Sequence, residues 1–501
     1  MNKELLNSFL VLLGALIYCV IFWCEKLGLN VLVYATFLIG ALYLLRKDAF
    51  SQRNVQLAAF GMLFTAILVV THNSLIAKAI HFLSVGVLVG LSQLPAMRFI
   101  LYAFLMYIVN FFEAPIQALQ SLMKIPSLLS GKKQRTYGFS SIWLSVLIVP
   151  IFYMIYYFTN QEFAAISDTF WGQIGRLLSF DWNFARIFFF IMGIVITGAA
   201  LWNHTMIDFS RYTKFGETLN ANEQNNSEER TLHHYKSGLV LLLTLNCLLL
   251  FNNGLDIVYV WGKMDMARTS SALKEFVHSG TYILIVSILM AIAVVNYVFR
   301  GSVNFMANNQ KIKYLGYAWL AQNAFLVLTV ACRNWQYIDQ FGLAYKRIGV
   351  FIFLILVLAG LWFMALKIRD KRNLFYVNVR MAWAIYAVLV LTALVPWDKF
   401  ITQYNINAYA KNKNIDLDFL VNTISDKNLG ILYQNQAQLQ SINQDVMPSY
   451  ESESYNPKID FAEALDRKRK NFVTTQNEYS IWSWNWPDYN TRKEVGGAEG
   501  Q

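Results

Sequence analysis

The sequence predicts an all-α integral membrane protein, a polytopic bundle of 11–12 transmembrane helices followed by a small helical extramembrane tail. Two observations carry this prediction. About a dozen apolar stretches follow one another as far as Trp397, each close to the roughly 20 residues that a helix needs to cross the hydrocarbon core. Of the 501 residues, 56% are hydrophobic and only 15% are charged, a composition far from that of a soluble domain.

The apolar runs are the candidate spans. In chain order they are 5–24, 27–45, 55–72, 74–92, 97–113, 140–158, 183–202, 238–261, 280–299, 314–332, 348–366 and 375–396. The first run is longer than a signal-peptide core and has no small-x-small cleavage site, so we expect it to be retained. Gln93, Pro95 and Arg98 lie around the start of the fifth run, and we expect residues 94–113 to be half-inserted or flat if only eleven spans cross.

Lys and Arg are distributed unevenly over alternate loops. One set of loops carries fifteen of them and comprises 114–139, 203–237, 300–313 and 367–373. The opposite set carries seven and comprises 159–182, 262–279 and 333–347. Because cytoplasmic loops are enriched in Lys and Arg, the sequence predicts that the first set faces the cytoplasm of a bacterial inner membrane and that the tail lies outside. The same rule accounts for the net charge of +11 without nucleic acid as a partner.

Three regions are expected along the chain. Residues 1–139 hold N-terminal transmembrane helices, 140–397 form a transmembrane core with a polar cytoplasmic insert at 203–237, and 398–501 form the extracytoplasmic tail. Apolar positions recur at helical spacing in the first part of the tail, and an amphipathic helix is predicted to start near Asp460.

The end of the tail is rich in tryptophan. Trp482, Trp484 and Trp486 alternate, which predicts an extended strand with three indoles on one face. This strand is expected to dock on the tail's own helices, on the lipid surface or on a protein partner.

Polar side chains inside the apolar region are candidate functional groups, because charges within a bilayer are costly. The eighth run contains four of them, namely Asn246, Asn252, Asn253 and Asp256. Their spacing predicts that Asn246, Asn253 and Asp256 share one helical face, with Asn252 beside it. Two interpretations stand: an ion or proton site, or hydrogen bonding to a neighbouring helix near the outer interface.

A second group of candidates lies on the predicted outer face. It consists of Glu275, His278, Arg333, Tyr337, Asp339 and Arg347. The arginines suit two-point binding of a carboxylate or phosphate, and pairing with Asp339 or lipid head groups is the alternative. A Glu and a His three residues apart on a helix suit proton transfer, but the sequence offers no nucleophile to accompany them.

Four stretches of the second half carry a family resemblance. The first is FNNGLDIVYVWG followed by SALKEFVHSGTYILIV. The second consists of Arg333, Tyr337, Gly342, Leu343 and Arg347, and the third is the last span with Asn378. The fourth consists of Tyr404, Asn405, Ile406, Asp416 and Leu420. Together these stretches resemble a bacterial membrane family known as a domain of unknown function, the 4153/4173 group.

The resemblance covers roughly residues 140–430 and implies a multi-pass bacterial membrane protein without implying an activity. Under the predicted topology, the hairpin 333–347 and the segment 404–420 lie on the same face, and we expect them to pack together. Tyr404, Asn405 and Asp416 are therefore candidate tail contacts.

Three functions remain open. The chain has no P-loop, HExxH, GxSxG or GxGxxG motif, so no catalytic residue, cofactor or metal site is expected. This favours a non-enzymatic signalling or envelope-scaffold protein, embedded in the lipid bilayer, whose outer tail binds a protein partner. The alternatives are a secondary transporter with its polar site around Asp256 and, more weakly, a lipid-linked transferase that uses Glu275 and His278.

Overall fold

The computed structural model describes residues 3–130, 149, 152–178, 184–203, 208–219, 228–261, 286–287, 289–412, 415–442 and 460–496. This part of the chain is helical throughout and contains no strand. The apolar region holds α1 (Lys3–Phe22), α2 (Leu29–Leu45), α3 (Arg53–His72), α4 (Leu75–Gln93), α5 (Ile100–Ser130), α6 (Gln161–Leu178), α7 (Phe184–Leu201), α8 (Glu228–Asp256), α9 (Leu289–Val298), α10 (Gln310–Phe341), α11 (Tyr345–Arg369) and α12 (Leu374–Ala393). The tail holds α13 (Trp397–Asn412), α14 (Leu429–Gln434), α15 (Gln436–Gln440), α16 (Phe461–Asn477) and α17 (Trp486–Gly496).

Eleven of the twelve predicted spans coincide with an apolar helix. Among the described residues, eight helices are long and apolar enough to cross a membrane, and α2, α7 and α9 are shorter apolar helices. The remaining predicted span, 140–158, lies mostly outside the described residues. The outward face of α1 is apolar along its length and exposes Leu5, Phe9, Leu12, Leu16 and Val20. Such a surface is favourable in lipid and not in water, so the predicted polytopic all-α membrane bundle is confirmed.

The apolar helices pack as two bundles. The first bundle consists of α1–α5 and α7, and its core contains many small side chains, such as Ala15, Ala58 and Ala103, which let helices approach closely within a membrane. The second bundle consists of α8–α11 and the first half of α12. The second half of α12 returns to the first bundle, where the hydroxyls of Tyr386 and Ser84 lie 2.8 Å apart.

Helix α5 crosses one end of the first bundle. Ala103 packs against Gly90 near the end of α4, and the Asn110 amide donates to the carbonyl of Ala199 near the end of α7 (3.1 Å). Gln117, a further seven residues along α5, donates to the carbonyl two residues beyond α7 (3.1 Å). All three contacts lie at the same end of the bundle.

The two ends of the bundles differ. At the end away from the tail, here called the distal end, the Arg46 guanidinium donates to Ser92 Oγ and to the carbonyl of Leu201, both at 2.8 Å. This side chain ties together the C-terminal ends of α2, α4 and α7. Residues 208–219 of the polar insert also lie at the distal end, where Leu219 N donates to the carbonyl of Lys371 (3.1 Å).

The tail shares one hydrophobic core with the ends of α10 and α11. Ile338, Leu343 and Ile348 pack in this core with the apolar positions that the sequence identified in the tail, namely Ile401, Tyr404, Ile406, Leu417, Leu420, Ile424, Leu429 and Leu432. Helix α16 begins at the predicted position, because the Asp460 carboxylate accepts from the N–H groups of its first turn. The linker that precedes it, 443–459, lies outside the described residues.

Polar contacts fasten the tail to the loops of the first bundle. The Lys427 ammonium donates to the carbonyl of Asn73 between α3 and α4 (2.9 Å). Leu29 N, at the start of α2, donates to the carbonyl of Trp484 (2.9 Å). A side chain at Gly28 would bring a Cβ within 2.5 Å of that same carbonyl oxygen. The loops α1–α2 and α3–α4 therefore lie at the tail end.

The hairpin between α10 and α11 packs on the tail, as the sequence predicts. Asn405 of α13 makes two hydrogen bonds with the backbone of Leu343: its Nδ2 donates to the carbonyl (2.9 Å) and its Oδ1 accepts from the N–H (2.6 Å). Gly342 turns the hairpin with φ +76°, a conformation that suits glycine.

Replacing Gly342 by alanine is expected to loosen the tail. The new Cβ would lie 2.5 Å from Asn405 Oδ1 in a left-handed backbone, and such strain costs about 1–3 kcal/mol. Thermal unfolding in detergent and the rate of tail proteolysis measure the effect. Gly349→Ala is the matched control, because a Cβ there meets no atom within 4 Å. Equal behaviour of the two variants contradicts the role assigned to Gly342.

Candidate functional site

A row of polar side chains, here called the ladder, joins α8 to α10. It consists of Asn246, Asn253 and Asp256 of α8 and Gln322 of α10. Asn246, Asn253 and Asp256 are the buried polar residues of α8 and occupy one face, as their spacing predicts. Gln322 of α10 contacts two of them: its Nε2 donates to Asn246 Oδ1 (2.7 Å), and its backbone carbonyl accepts from Asn253 Nδ2 (3.2 Å). Asn252 is half-buried beside this face. Each amide satisfies backbone or side-chain groups across the helix pair, which is how polar residues hold helices together in lipid.

An ion pair closes the ladder at the tail end. The Arg333 guanidinium of α10 donates through Nη2 to Asp256 Oδ1 at 2.5 Å. Both residues are more than nine-tenths buried, with 8% and 6% of their surfaces exposed. The structure thus brings together one residue from the predicted intramembrane site and one from the predicted outer-face site. Removing one member of such a buried pair leaves a charge without its partner.

Three acceptor oxygens of the ladder have no hydrogen-bond donor within the described part of the chain. They are Asn253 Oδ1, Asp256 Oδ2 and Gln322 Oε1. Immediately after Asp256, the helix widens into a π-helical turn over Ile257–Trp261, a feature that often accompanies functional sites. Buried oxygen acceptors of this kind match the needs of a proton or a hard cation.

The remaining residues of the α10–α11 hairpin hold the turn itself. The Arg347 guanidinium donates to the carbonyl of Phe341 (2.9 Å) and to that of Gly342, and it lies over the ring of Tyr337 at 4.6 Å. A cation at the last carbonyls of a helix interacts favourably with the helix dipole. Asp339, near the end of α10, is exposed. The two arginines of the predicted outer-face site therefore serve different helices.

Of the predicted contact residues of the tail, Asn405 lies at the α10–α11 junction. Asn405 binds the hairpin backbone directly, Tyr404 packs half-buried against the tail core, and Asp416 Oδ1 accepts from Phe419 N (2.9 Å). Deeper in this core, the Lys468 ammonium donates to the carbonyl of Ile424 (2.7 Å). Burial lowers the pKa of Lys468 to about 8.

The predicted tryptophan strand is wrong. Residues 481–483 form a 3₁₀ turn and α17 begins at Trp486, because local caps favour helical turns: Ser480 Oγ accepts from Trp482 N (3.3 Å), and Asn485 Oδ1 accepts from the first turn of α17. The three indoles therefore do not share one face of a strand. Trp482 packs against the core of the first bundle, whereas Trp484 and Trp486 are exposed.

Glu275 and His278 lie outside the described residues. Gln322 was missed by the sequence reasoning, although an amide within an apolar run was a usable signal. Its importance depends on the side chains that it meets on α8.

The sequence profile of a family described as "Domain of unknown function (DUF4153)" matches residues 11–435. The chain belongs to this family. No curated protein and no solved structure matches the chain significantly. The family match includes the N-terminal third, where the sequence motifs gave no resemblance, and it spans both bundles and the first part of the tail. The DUF4153 region therefore contains the ladder, the ion pair and the hairpin.

The ion pair is expected to couple α8 to α10 energetically. Breaking a buried pair by removing one partner costs about 3–5 kcal/mol, so Asp256→Asn and Arg333→Gln each lower the unfolding temperature in detergent. In the double variant the two effects are not additive, with a coupling of at least about 1 kcal/mol. Asp48→Asn, which alters an exposed carboxylate, is the control. Additive effects contradict the coupling.

Proposed function

We propose that this protein is a non-enzymatic component of the bacterial cytoplasmic membrane that relays a signal or scaffolds an envelope complex, with its tail outside the cell membrane as the partner-binding element. The observation that carries the proposal is the continuity of α10. This one helix holds Arg333 in the ion pair with Asp256, contributes Ile338 to the tail core and ends at Phe341. A change at the ladder is thereby transmitted to the tail.

The fastening of the tail supports a relay rather than an independent domain. The tail contacts the α10–α11 hairpin through Asn405 and the first bundle through Lys427 and Trp484. The tail is therefore in direct contact with both bundles, so a change in its position affects both. A tethered soluble domain would not need contacts with both.

An exposed aromatic surface on the tail is the proposed partner site. The Tyr489 ring lies 5.9 Å from that of Trp486 and 6.3 Å from that of Trp484. Half of the surface of Trp486 and of Tyr489 is exposed. Tryptophan and tyrosine are the residues most enriched at the energetic centre of protein interfaces. The cation distribution over the loops supports an outer location for this surface.

A photo-crosslinking residue in place of Trp486 tests the proposal in the living bacterium. We expect a discrete protein adduct, since the aromatic surface is the docking site. The same residue in place of Val473, which is exposed on α16, is the matched control and is expected to give no adduct. Adducts with lipid alone, or equal adducts at both positions, contradict partner binding.

The side of the membrane on which the tail lies is tested in the same bacterium. Single-cysteine variants are made in a chain from which the four natural cysteines have been removed. A membrane-impermeant maleimide is expected to label Val473→Cys in intact spheroplasts and Lys47→Cys, at the distal end, only after permeabilisation. The reverse pattern contradicts the proposed orientation.

Proton- or cation-coupled transport is the second candidate function. The three unpaired acceptor oxygens on the α8–α10 ladder, one of them on Asp256, favour it. Transporters commonly place such groups between helices within the membrane. This function uses the ladder, whereas the relay uses the connection from the ladder to the tail.

Proteoliposomes with an imposed proton or sodium gradient test transport. If the ladder conducts either ion, the wild-type chain dissipates that gradient faster than empty liposomes, and Asp256→Asn removes the difference. Asp48→Asn is again the control and keeps the wild-type rate. A wild-type rate equal to that of empty liposomes contradicts this second candidate.

A further inference from the structure

A cavity of about 510 Å³ opens at the distal end of the second bundle. Its walls are the end of α9, the turn after it, the last turn of α11 and the start of α12. The polar insert closes one side through Leu219. This segment is held in place because Asn373 N donates to the carbonyl of Glu217 (3.1 Å). The volume is in the range of ordinary ligand pockets.

Two cations line this cavity, and none of the described residues of its lining is a carboxylate. Lys367 has only 3% of its surface exposed, and its ammonium donates to the carbonyl of Phe299 (3.2 Å). The Arg300 guanidinium lies 4.4 Å from the centre of the Tyr297 ring. Among the described residues, no Asp or Glu forms an ion pair with Lys367 or Arg300. A buried ammonium without a counter-charge is costly, so this lining favours binding of an anion.

The surroundings restrict the chemistry of that anion. Asn296 adds a polar group to the wall, and the rest of the lining is mainly apolar, including Ala293 and Leu374. Arg300, Tyr297 and Ala293 lie on the exposed side of the bundle, so the cavity opens laterally where lipid head groups meet the apolar helices. Basic pockets between helices at this level suit phosphate-bearing head groups, and the arginine fork matches phosphate oxygens.

We propose that this cavity binds a phosphate group, with Lys367 as the buried counter-ion and Arg300 as the second contact. The phosphate belongs either to an anionic phospholipid of the adjacent leaflet or to a soluble phosphomonoester. The insert, through Leu219, forms part of the site. The proposal is independent of the tail and of the ladder.

The full-length protein in nanodiscs tests the site. In the first arm, discs of phosphatidylcholine with phosphatidylglycerol are compared with discs of phosphatidylcholine alone, and retained lipid is counted by native mass spectrometry after detergent extraction. In the second arm, glycerol 3-phosphate or inorganic phosphate is titrated into phosphatidylcholine discs, and the unfolding temperature is followed. Arg300→Gln and Lys367→Gln are expected to weaken binding about fivefold each, the contribution of one cation near a lipid surface.

Arg369→Gln is the matched control, because Arg369 is exposed on the same helix and pairs with Asp370 at 2.7 Å. Loss of phosphatidylglycerol in the two cavity variants alone supports the site and identifies a lipid. Loss of the phosphate-induced stabilisation in these variants alone supports the site and identifies a soluble ligand. The proposal is overturned if the wild-type protein binds neither probe, or if its affinity for the bound probe equals that of Arg300→Gln. Arg300 is exposed, so its variant decides the outcome even if Lys367→Gln does not fold.

Discussion

The ion pair between Asp256 and Arg333 fixes α10 against α8 where the apolar bundle gives way to the tail core. Its members are buried, so neither can lose the other without leaving a desolvated charge. Because α10 continues without a break to Phe341, the position of the ion pair sets the position of the hairpin. The hairpin in turn sets α13 through the two hydrogen bonds of Asn405.

Polar contacts at helix ends hold the helices of the first bundle together and fasten the tail to it. Arg46 joins the ends of α2, α4 and α7 at the distal end. At the tail end, Lys427 and Trp484 form hydrogen bonds with loops of the first bundle. Between these ends, small residues and amides supply the packing, because hydrophobic burial gives no advantage between helices that lipid already surrounds. The cavity beside Lys367 departs from this pattern, since its charge has no counterpart in the described chain.

Hydropathy and periodicity predicted most elements correctly. Local patterns predicted eleven apolar helices, eight of them long enough to cross a membrane, together with the tail core positions and the start of α16. The structure does not place Arg333 and Arg347 in one site. They have different partners, and helix packing, which local patterns do not specify, decides those partners. The tryptophan segment failed for another reason: the capping side chains of Ser480 and Asn485 outweighed simple alternation.

The sequence by itself determined that lipid surrounds most of this protein and that its fold is helical, because both properties depend on residues close together in the chain. The family assignment likewise depended on sequence alone. Only the tertiary structure decided which polar groups meet. Asp256 and Arg333 are 77 positions apart, and Leu343 and Asn405 are 62 apart. Such contacts depend on the rotation and crossing of whole helices, which no local pattern specifies.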